Sequence, residues 1–166
     1  MHDHNVGVVN KNHKNHKNLV GSLNRYSPAV LSLFRFVYGL LFAMSGSMHL
    51  FDWPVALRHP VEAGSPVWFA GIIELVTGLL IAAGLFTRAA AFIASGHMAV
   101  AYFWIHQPIA LWPVGEPPGG NGGTEAILFC FGFFLLVFTG PGVYSIDARR
   151  RSIRPSGSAG RRFPRG

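Results

Sequence analysis

Four apolar stretches of roughly bilayer-spanning length constrain this chain more than any other feature of its sequence. They run from about Val30 to Leu50, Val67 to Phe86, Ala89 to Ile105 and Gly122 to Gly140. A helix needs about 20 apolar residues to cross the hydrocarbon of a bilayer, and the third stretch is somewhat shorter than that. Each stretch is rich in Leu, Phe and Ala on all sides of its helix, which leaves no polar face for water. The sequence therefore predicts an all-α fold, an integral membrane four-helix transmembrane bundle.

The composition agrees with a membrane protein and limits its chemistry. Half of the 166 residues are hydrophobic (50%) and only 13% are charged, which is too apolar for an ordinary soluble domain. The formal charge of +7 comes mostly from the two ends of the chain, so it indicates membrane orientation and not nucleic-acid binding. Cys130 is the only cysteine, which excludes an internal disulfide and a CxxC redox pair. Any electron chemistry would need a borrowed cofactor.

The chain divides into a membrane region and two tails. Residues 1–29 are basic and His-rich, include a Lys-Asn-His repeat and predict a disordered cytoplasmic tail; residues 30–140 form the bundle; residues 141–166 form an Arg-rich cytoplasmic tail. The pairs His2/His4 and His13/His16 lack acidic or thiolate partners, so we predict no metal site there. Met1 to Val20 has no apolar core, which argues against a cleaved signal peptide and makes the first span an uncleaved anchor.

The distribution of basic residues predicts the orientation. A very short connection with Gly84 as helix C-cap joins the second and third stretches into a hairpin, and Pro-rich and Gly-rich segments form the other two connections. Lys and Arg gather in the tails and the hairpin, namely at Lys11, Lys14, Lys17, Arg25, Arg88, Arg149, Arg150, Arg151 and Arg154, while the long connections offer only Arg58. The positive-inside rule then places both termini and the hairpin in the cytoplasm. All four tryptophans, Trp53, Trp68, Trp104 and Trp112, fall at the outer interface, and the arginine-rich tail is expected to contact anionic lipids.

Ionisable side chains inside the apolar stretches are the candidates for function, because they are costly in lipid. They form two predicted layers: an outer one of His49, Glu74, His106 and Glu125, with His97 nearer the middle, and an inner, structural one of Arg35, Arg88 and Asp147. Glu74 is equally compatible with a protonated interhelical hydrogen bond and with a proton-transfer or ligand-anchoring group. For His97 an interhelical hydrogen bond is the favoured role. His49 and His106 are predicted to be residues of the membrane interface; as a pair they would ligate haem only if they approach one iron, and the sequence signal for this is weak.

Arg35 poses a separate question of pairing. The estimated depths of Arg35 and Glu74 differ by about 10 Å, so we expect Arg35 to bind Asp147 or backbone carbonyl groups instead of Glu74. The candidate catalytic residues are thus Glu74, Glu125 and His49, and the candidate cofactor-binding residues are His49, Glu74, His97, His106 and Glu125.

Short motifs follow one another in a fixed order over roughly Leu31 to Asp147. They are Phe34-Arg35, Gly39-Leu40-Leu41-Phe42, Ser45-Gly46, Gly71-Ile72-Ile73-Glu74-Leu75, Gly78-Leu79-Leu80, Gly84-Leu85-Phe86-Thr87-Arg88, Asn121-Gly122-Gly123-Thr124-Glu125, Gly140-Pro141-Gly142 and Ser145-Ile146-Asp147. Their order and spacing resemble the DoxX family of small bacterial four-span membrane proteins, which implies a multi-pass chain in the inner membrane of a bacterial cell. By this likeness Arg35, Glu74, Arg88, Glu125 and Asp147 occupy the family's characteristic polar positions. The chain departs from the family at His49, where members often carry a lysine, so a fixed positive charge becomes a titrating group.

The resemblance implies membrane-associated oxidoreductase complexes, including subunits of quinone-reducing enzymes and partners of thiol- and superoxide-handling proteins. The first functional hypothesis is therefore a membrane subunit or anchor of a redox or oxidative-stress complex, with a quinone-like site near the outer layer and redox partner proteins; any enzymatic activity would belong to that complex. The second is a small proton-coupled transporter component, which would need a homo-oligomer because four helices rarely enclose a pathway. The third is a non-catalytic structural or assembly protein.

Overall fold

The computed structural model describes residues 4–57 and 59–153 and gives only the backbone for residues 4–20 and Ser22. Five α-helices follow one another within these residues: α1 His4–Phe51, α2 Pro66–Ala83, α3 Thr87–Ala101, α4 Thr124–Thr139 and α5 Ile146–Ile153. A π-helical turn, Tyr102–His106, continues α3, and no strand occurs in the described part of the chain. Arg58, Arg154 and the side chains of His2, His4, His13, His16 and the three N-terminal lysines lie outside this description.

The helices confirm the all-α membrane architecture, with different lengths from those predicted. Residues 23–51, Pro66–Ala83 and Thr87–His106 are long and apolar enough to cross a bilayer. The third span is not short, because the π-helical turn extends it to 20 residues. The fourth is the shortest instead: α4 has 16 residues, about 24 Å at ~1.5 Å per residue. Gly123 and Gly140 flank it, and Gly140 leaves the helix at a φ of 78°.

The first helix begins earlier than the sequence predicts. The backbone of α1 is helical from His4, whereas the first apolar stretch was predicted to begin at about Val30. Pro28 lies inside the helix, where its ring cannot donate the usual hydrogen bond. Ser32 Oγ donates to the Pro28 carbonyl at 2.9 Å. The segment before Pro28 and the first span therefore belong to one continuous helix in the structure.

The two ends of the bundle differ in their connections. The hairpin end carries the turn between α2 and α3, the segment 140–145 and α5, and the long-loop end carries the connections 52–65 and 107–123. At the hairpin end Gly84 adopts a φ of 71° and closes α2 with hydrogen bonds from Gly84 N to Ile81 O (3.0 Å) and from Leu85 N to Leu80 O (2.9 Å). The predicted C-cap at Gly84 is confirmed, because this left-handed conformation costs glycine little.

The interior of the bundle contains close contacts between helices at small residues and a cluster of aromatic side chains. Helix α1 packs most extensively against α2, and α3 against α4. Phe42, Phe129 and Phe133 are buried against the alanines of α3, while large apolar side chains such as Phe92, Phe131 and Phe138 are exposed. Exposed aromatic residues around apolar helices are expected when lipid, and not water, surrounds the protein.

Glycines bring α1 and α2 into backbone contact. A Cβ added to Gly78 would lie 2.5 Å from Ala43 N and 2.8 Å from Gly39 O, and one added to Gly71 would lie 2.8 Å from the Cβ of His49. Real Cβ atoms do not approach that closely, so only glycine fits. This contact sets the register between the two helices that carry His49 and Glu74.

Candidate functional site

Glu74 lies at the centre of a polar cluster built from three helices. Its carboxylate accepts a hydrogen bond from His49 Nδ1 at 3.0 Å on Oε2 and faces His97 Nε2 at 3.4 Å on Oε1. Only 4% of Glu74 is exposed. We call these three residues the Glu74 cluster. A buried carboxylate with an imidazole on each oxygen can share a proton among three groups.

The glycine contact explains why His49 and Glu74 meet. Gly46 and Gly71 pack against each other's helix, and the two ionisable residues follow three positions after them in antiparallel helices. Side chains on a helix lean toward its N-terminus, so His49 leans into the bundle while Glu74 leans toward the long-loop end. The two side chains therefore converge although their Cα atoms lie at different depths.

An open cleft reaches the cluster from the long-loop end. Its volume is about 570 Å³, and it is lined by His49 together with Leu57, His59, Pro60, Val61, Glu62, Ser65 and Val67. His49 is thus shared between the cleft and Glu74. Among the hydrogen bonds of the described residues, the one that His49 makes engages Nδ1 and none engages Nε2.

The predicted outer layer separates into two groups. His49 and Glu74 meet, and His97 joins them, whereas His106 and Glu125 do not. His106 Nδ1 bonds the carbonyl oxygen of Asn121 at 2.8 Å, and Glu125 is exposed in the first turn of α4. The structure therefore gives the suggested His49/His106 ligand pair no common partner. His106 and Glu125 lie outside the cluster, because His106 is bonded to the connection 107–123 and Glu125 lies in the first turn of α4.

Asn121 is a residue whose role the sequence did not reveal. It is buried, its Nδ2 donates to Ala110 O at 2.8 Å, and its Oδ1 accepts from Gly123 N at 2.8 Å. With His106 it fastens the connection 107–123 to the end of the third span. A lone amide before a glycine pair is the signal for such a loop-organising residue.

The inner polar residues form a separate clamp at the hairpin end. Arg35, only 3% exposed, donates to the carbonyl groups of Ile81, Ala82 (2.5 Å), Pro141 (2.8 Å) and Tyr144 (2.7 Å). The expectation that Arg35 binds carbonyl groups is confirmed, and Glu74 lies in the other cluster. No ion pair joins Arg35 to Asp147 among the described residues. Arg88 Nη2 donates to Phe138 O at 3.3 Å at the same end.

Asp147 caps the start of α3 from a distant part of the chain. Its carboxylate accepts from Phe86 N (3.1 Å), Thr87 N (3.0 Å) and Thr87 Oγ1 (3.1 Å). Partial burial opposes ionisation, but the hydrogen bonds from Thr87 and Phe86 outweigh it and lower the pKa of Asp147 below its ordinary value of 3.8. The first backbone N–H groups of a helix have no acceptor within the helix, and a carboxylate in this position accepts hydrogen bonds from them.

Acid is expected to weaken this cap. Because the pKa of Asp147 is lower in the folded chain, its contribution is complete above the ordinary pKa and is lost as the pH falls through the folded value. We expect the thermal midpoint of the wild type in detergent to decrease once the pH is lower than about 4. Asp147→Asn is expected to destabilise the protein by about 1 kcal/mol at neutral pH, and its thermal midpoint should decrease less in acid. The exposed Asp52→Asn is the control and should keep the wild-type profile. An unchanged profile in Asp147→Asn would show that the cap does not contribute.

Comparison with known proteins places the chain in a sequence context. The model of the DoxX family matches residues 30–107. An uncharacterized protein of Haemophilus influenzae is 35% identical over 133 residues, which cover 77% of this chain and 96% of the relative. No solved structure matches the chain. The matched region includes all three members of the Glu74 cluster and the hairpin.

Proposed function

Since the chain belongs to the DoxX family of membrane proteins, we propose that it is the membrane subunit or anchor of a redox complex and that the Glu74 cluster binds a quinone-type ring. The observation that carries this proposal is the bond between a buried carboxylate and a histidine that lines an open cleft. The printed description of the relative from Haemophilus influenzae assigns no activity, so the argument depends on the site itself.

The residues around the cleft suit such a ring. Leu57, Pro60, Val61 and Val67 supply apolar walls, and a flat apolar ligand with carbonyl oxygens needs a few placed hydrogen-bond donors within such walls. Glu74 holds Nδ1 of His49, which leaves Nε2 as the ring nitrogen for a ligand in the cleft. A carboxylate on one ring nitrogen fixes the orientation and tautomer of a histidine. The donor set and the surroundings therefore fit a quinone carbonyl.

The chain's own residues would handle protons at this site. When bound, a quinone supplies two-electron, two-proton chemistry that the chain lacks. His49 can hold a proton at Nε2 toward the cleft, Glu74 stabilises the imidazolium through Nδ1, and His97 offers a second position on the other carboxylate oxygen. Cys130 is the sole cysteine, so electrons would come from a redox partner protein.

The arrangement favours this function over transport by a single chain. The cluster opens toward the long-loop end through His49. Toward the hairpin end, the described core contains Phe42 and Ile81, both buried, and the buried hydroxyl groups of Thr77 and Ser95 there donate to backbone carbonyl groups. A proton-coupled solute pathway would need titratable groups on both sides of the cluster. A transporter would therefore require further subunits, such as copies of this chain.

The location that fits this proposal is the bacterial inner membrane with both termini in the cytoplasm. The exposed tryptophans Trp53, Trp104 and Trp112 belong to the long-loop end, and the arginines Arg88, Arg149, Arg150 and Arg151 belong to the hairpin end. Aromatic residues favour membrane interfaces, and basic residues favour the cytoplasmic side. The Glu74 cluster would then exchange protons with the external side.

Gentle extraction from native membrane followed by mass spectrometry tests the proposal. We expect the wild-type protein to retain a quinone and a redox partner, and Glu74→Gln to retain at least about tenfold less quinone, because a hydrogen bond to a charged group contributes about 1.5–3 kcal/mol. The exposed Glu125→Gln is the matched control and should resemble the wild type. The proposal fails if wild type carries no quinone, if both variants retain it equally, or if Glu74→Gln changes only the thermal midpoint, as a structural role predicts.

A further inference from the structure

A second cleft, at the hairpin end, is lined by arginines that the Glu74 cluster does not use. Its volume is about 580 Å³, and Arg88, Arg150 and Arg151 line it together with Phe86, Thr87, Ala89, Pro141 and Asp147. We call it the arginine cleft. It draws residues from the hairpin and the start of α3, from the segment 140–145 and from helix α5, so the fold assembles it from three separate parts of the chain.

The charge in this cleft is positive and only partly engaged. Three arginines against one aspartate leave two formal positive charges. Asp147 directs its carboxylate at the start of α3, where Phe86 and Thr87 occupy it. Its negative charge therefore faces the helix and is compensated there by N–H groups. An anion in the cleft would meet the arginines without an unsatisfied carboxylate beside it.

The arginine side chains retain free donors. A guanidinium has five N–H groups, and Arg88 uses one toward Phe138 O at 3.3 Å. Arg150 lies over the Phe86 ring, with its Cζ 5.8 Å from the ring centroid. For Arg150 and Arg151 no side-chain hydrogen bond occurs within residues 4–57 and 59–153. Planar guanidinium groups with unused donors bind phosphate oxygens in pairs.

The depth of the cleft indicates where that phosphate would come from. Phe86 and Phe138, both about two-thirds exposed, adjoin the arginines at the ends of the apolar helices. Exposed phenylalanines there reach acyl chains, so the arginines lie at the level of lipid phosphates. We propose that the arginine cleft binds the phosphate headgroup of an anionic phospholipid, with Phe86 and Phe138 against its acyl chains.

Native mass spectrometry of the full chain in detergent tests this site. The purified protein is titrated with phosphatidylglycerol, phosphatidylcholine or inorganic phosphate. We expect phosphatidylglycerol to be retained in preference to phosphatidylcholine, and the double variant Arg150→Gln/Arg151→Gln to lose about tenfold of that affinity, because basic residues at a membrane surface attract anionic lipids. Arg149→Gln, on the same helix but outside the cleft, is the control and should bind like wild type.

The outcomes separate the possible sources of binding. Equal retention of the two lipids, or an equal loss in Arg149→Gln, would overturn the proposal, since it would indicate unspecific attraction to α5. Competition by inorganic phosphate at the concentration at which the lipid binds would also overturn it, in favour of a soluble phosphate ligand. The exposed positions of Arg150 and Arg151 predict unchanged thermal midpoints in the lipid-free variants, so loss of the fold does not confuse the result.

Discussion

Replacing Gly78 with alanine is expected to destabilise the bundle by about 2–3 kcal/mol, because overpacking of a tight contact has costs of that order. The new Cβ would lie 2.5 Å from Ala43 N and 2.8 Å from Gly39 O, both backbone atoms that cannot move aside alone. Helices α1 and α2 would have to separate, and His49 would move away from Glu74. The thermal midpoint in detergent measures the loss.

Gly96→Ala provides the matched control for this prediction. Gly96 is also a helical glycine, but nothing lies within 4 Å of a Cβ built on it. Alanine is favoured over glycine in a helix by up to about 1 kcal/mol, so this variant should be neutral or slightly more stable. If the two variants behaved alike, the close contact between α1 and α2 would not exist.

Replacing Arg35 with glutamine is expected to cost about 3 kcal/mol or more, because breaking a buried charged network leaves its partners unsatisfied. The side chain fastens the end of α2 to the segment 140–145 through four carbonyl groups. Glutamine has one amide in place of the guanidinium and cannot reach all of them. The free energy of unfolding, with hydrogen exchange around Tyr144, measures the effect.

Two further variants identify the cause of that loss. Arg35→Lys retains a charge and three donors and should recover part of the stability. Arg149→Gln removes an exposed arginine and should change it by less than about 0.5 kcal/mol. Wild-type stability in Arg35→Gln would show that the carbonyl clamp does not hold the hairpin end together.

Much of the fold follows from apolar length and turn residues. The four stretches, the C-cap at Gly84 and the grouping of tryptophans at the long-loop end depend on local composition, so the sequence reveals them. The helix lengths were less accessible. The π-helical turn at Tyr102–His106 lengthens the third span, and Gly140 shortens the fourth; both depend on backbone conformation that a hydropathy pattern does not encode.

The candidate site was predictable only in part, for a related reason. Depth along a helix can be counted from the sequence, and it grouped His49 and Glu74 in one outer layer. The direction in which a side chain faces around its helix, and the course of the connections, do not follow from counting residues. His97 therefore joins the Glu74 cluster although it was placed deeper, while Glu125 and His106 lie apart although their depth was similar. The carbonyl partners of Arg35 could be predicted, because a buried guanidinium needs acceptors and the carbonyl groups at helix ends supply them.

The central claim of this account is that His49, held by Glu74, recognises a ring in the cleft at the long-loop end. Titrating the purified protein in nanodiscs with a short-chain quinone, followed by tryptophan fluorescence, measures that recognition directly. We predict saturable binding to the wild type and to Glu125→Gln, and binding at least about tenfold weaker to His49→Leu, which loses both ring nitrogens. Binding of equal strength to His49→Leu, or no saturable binding to the wild type, would contradict the claim.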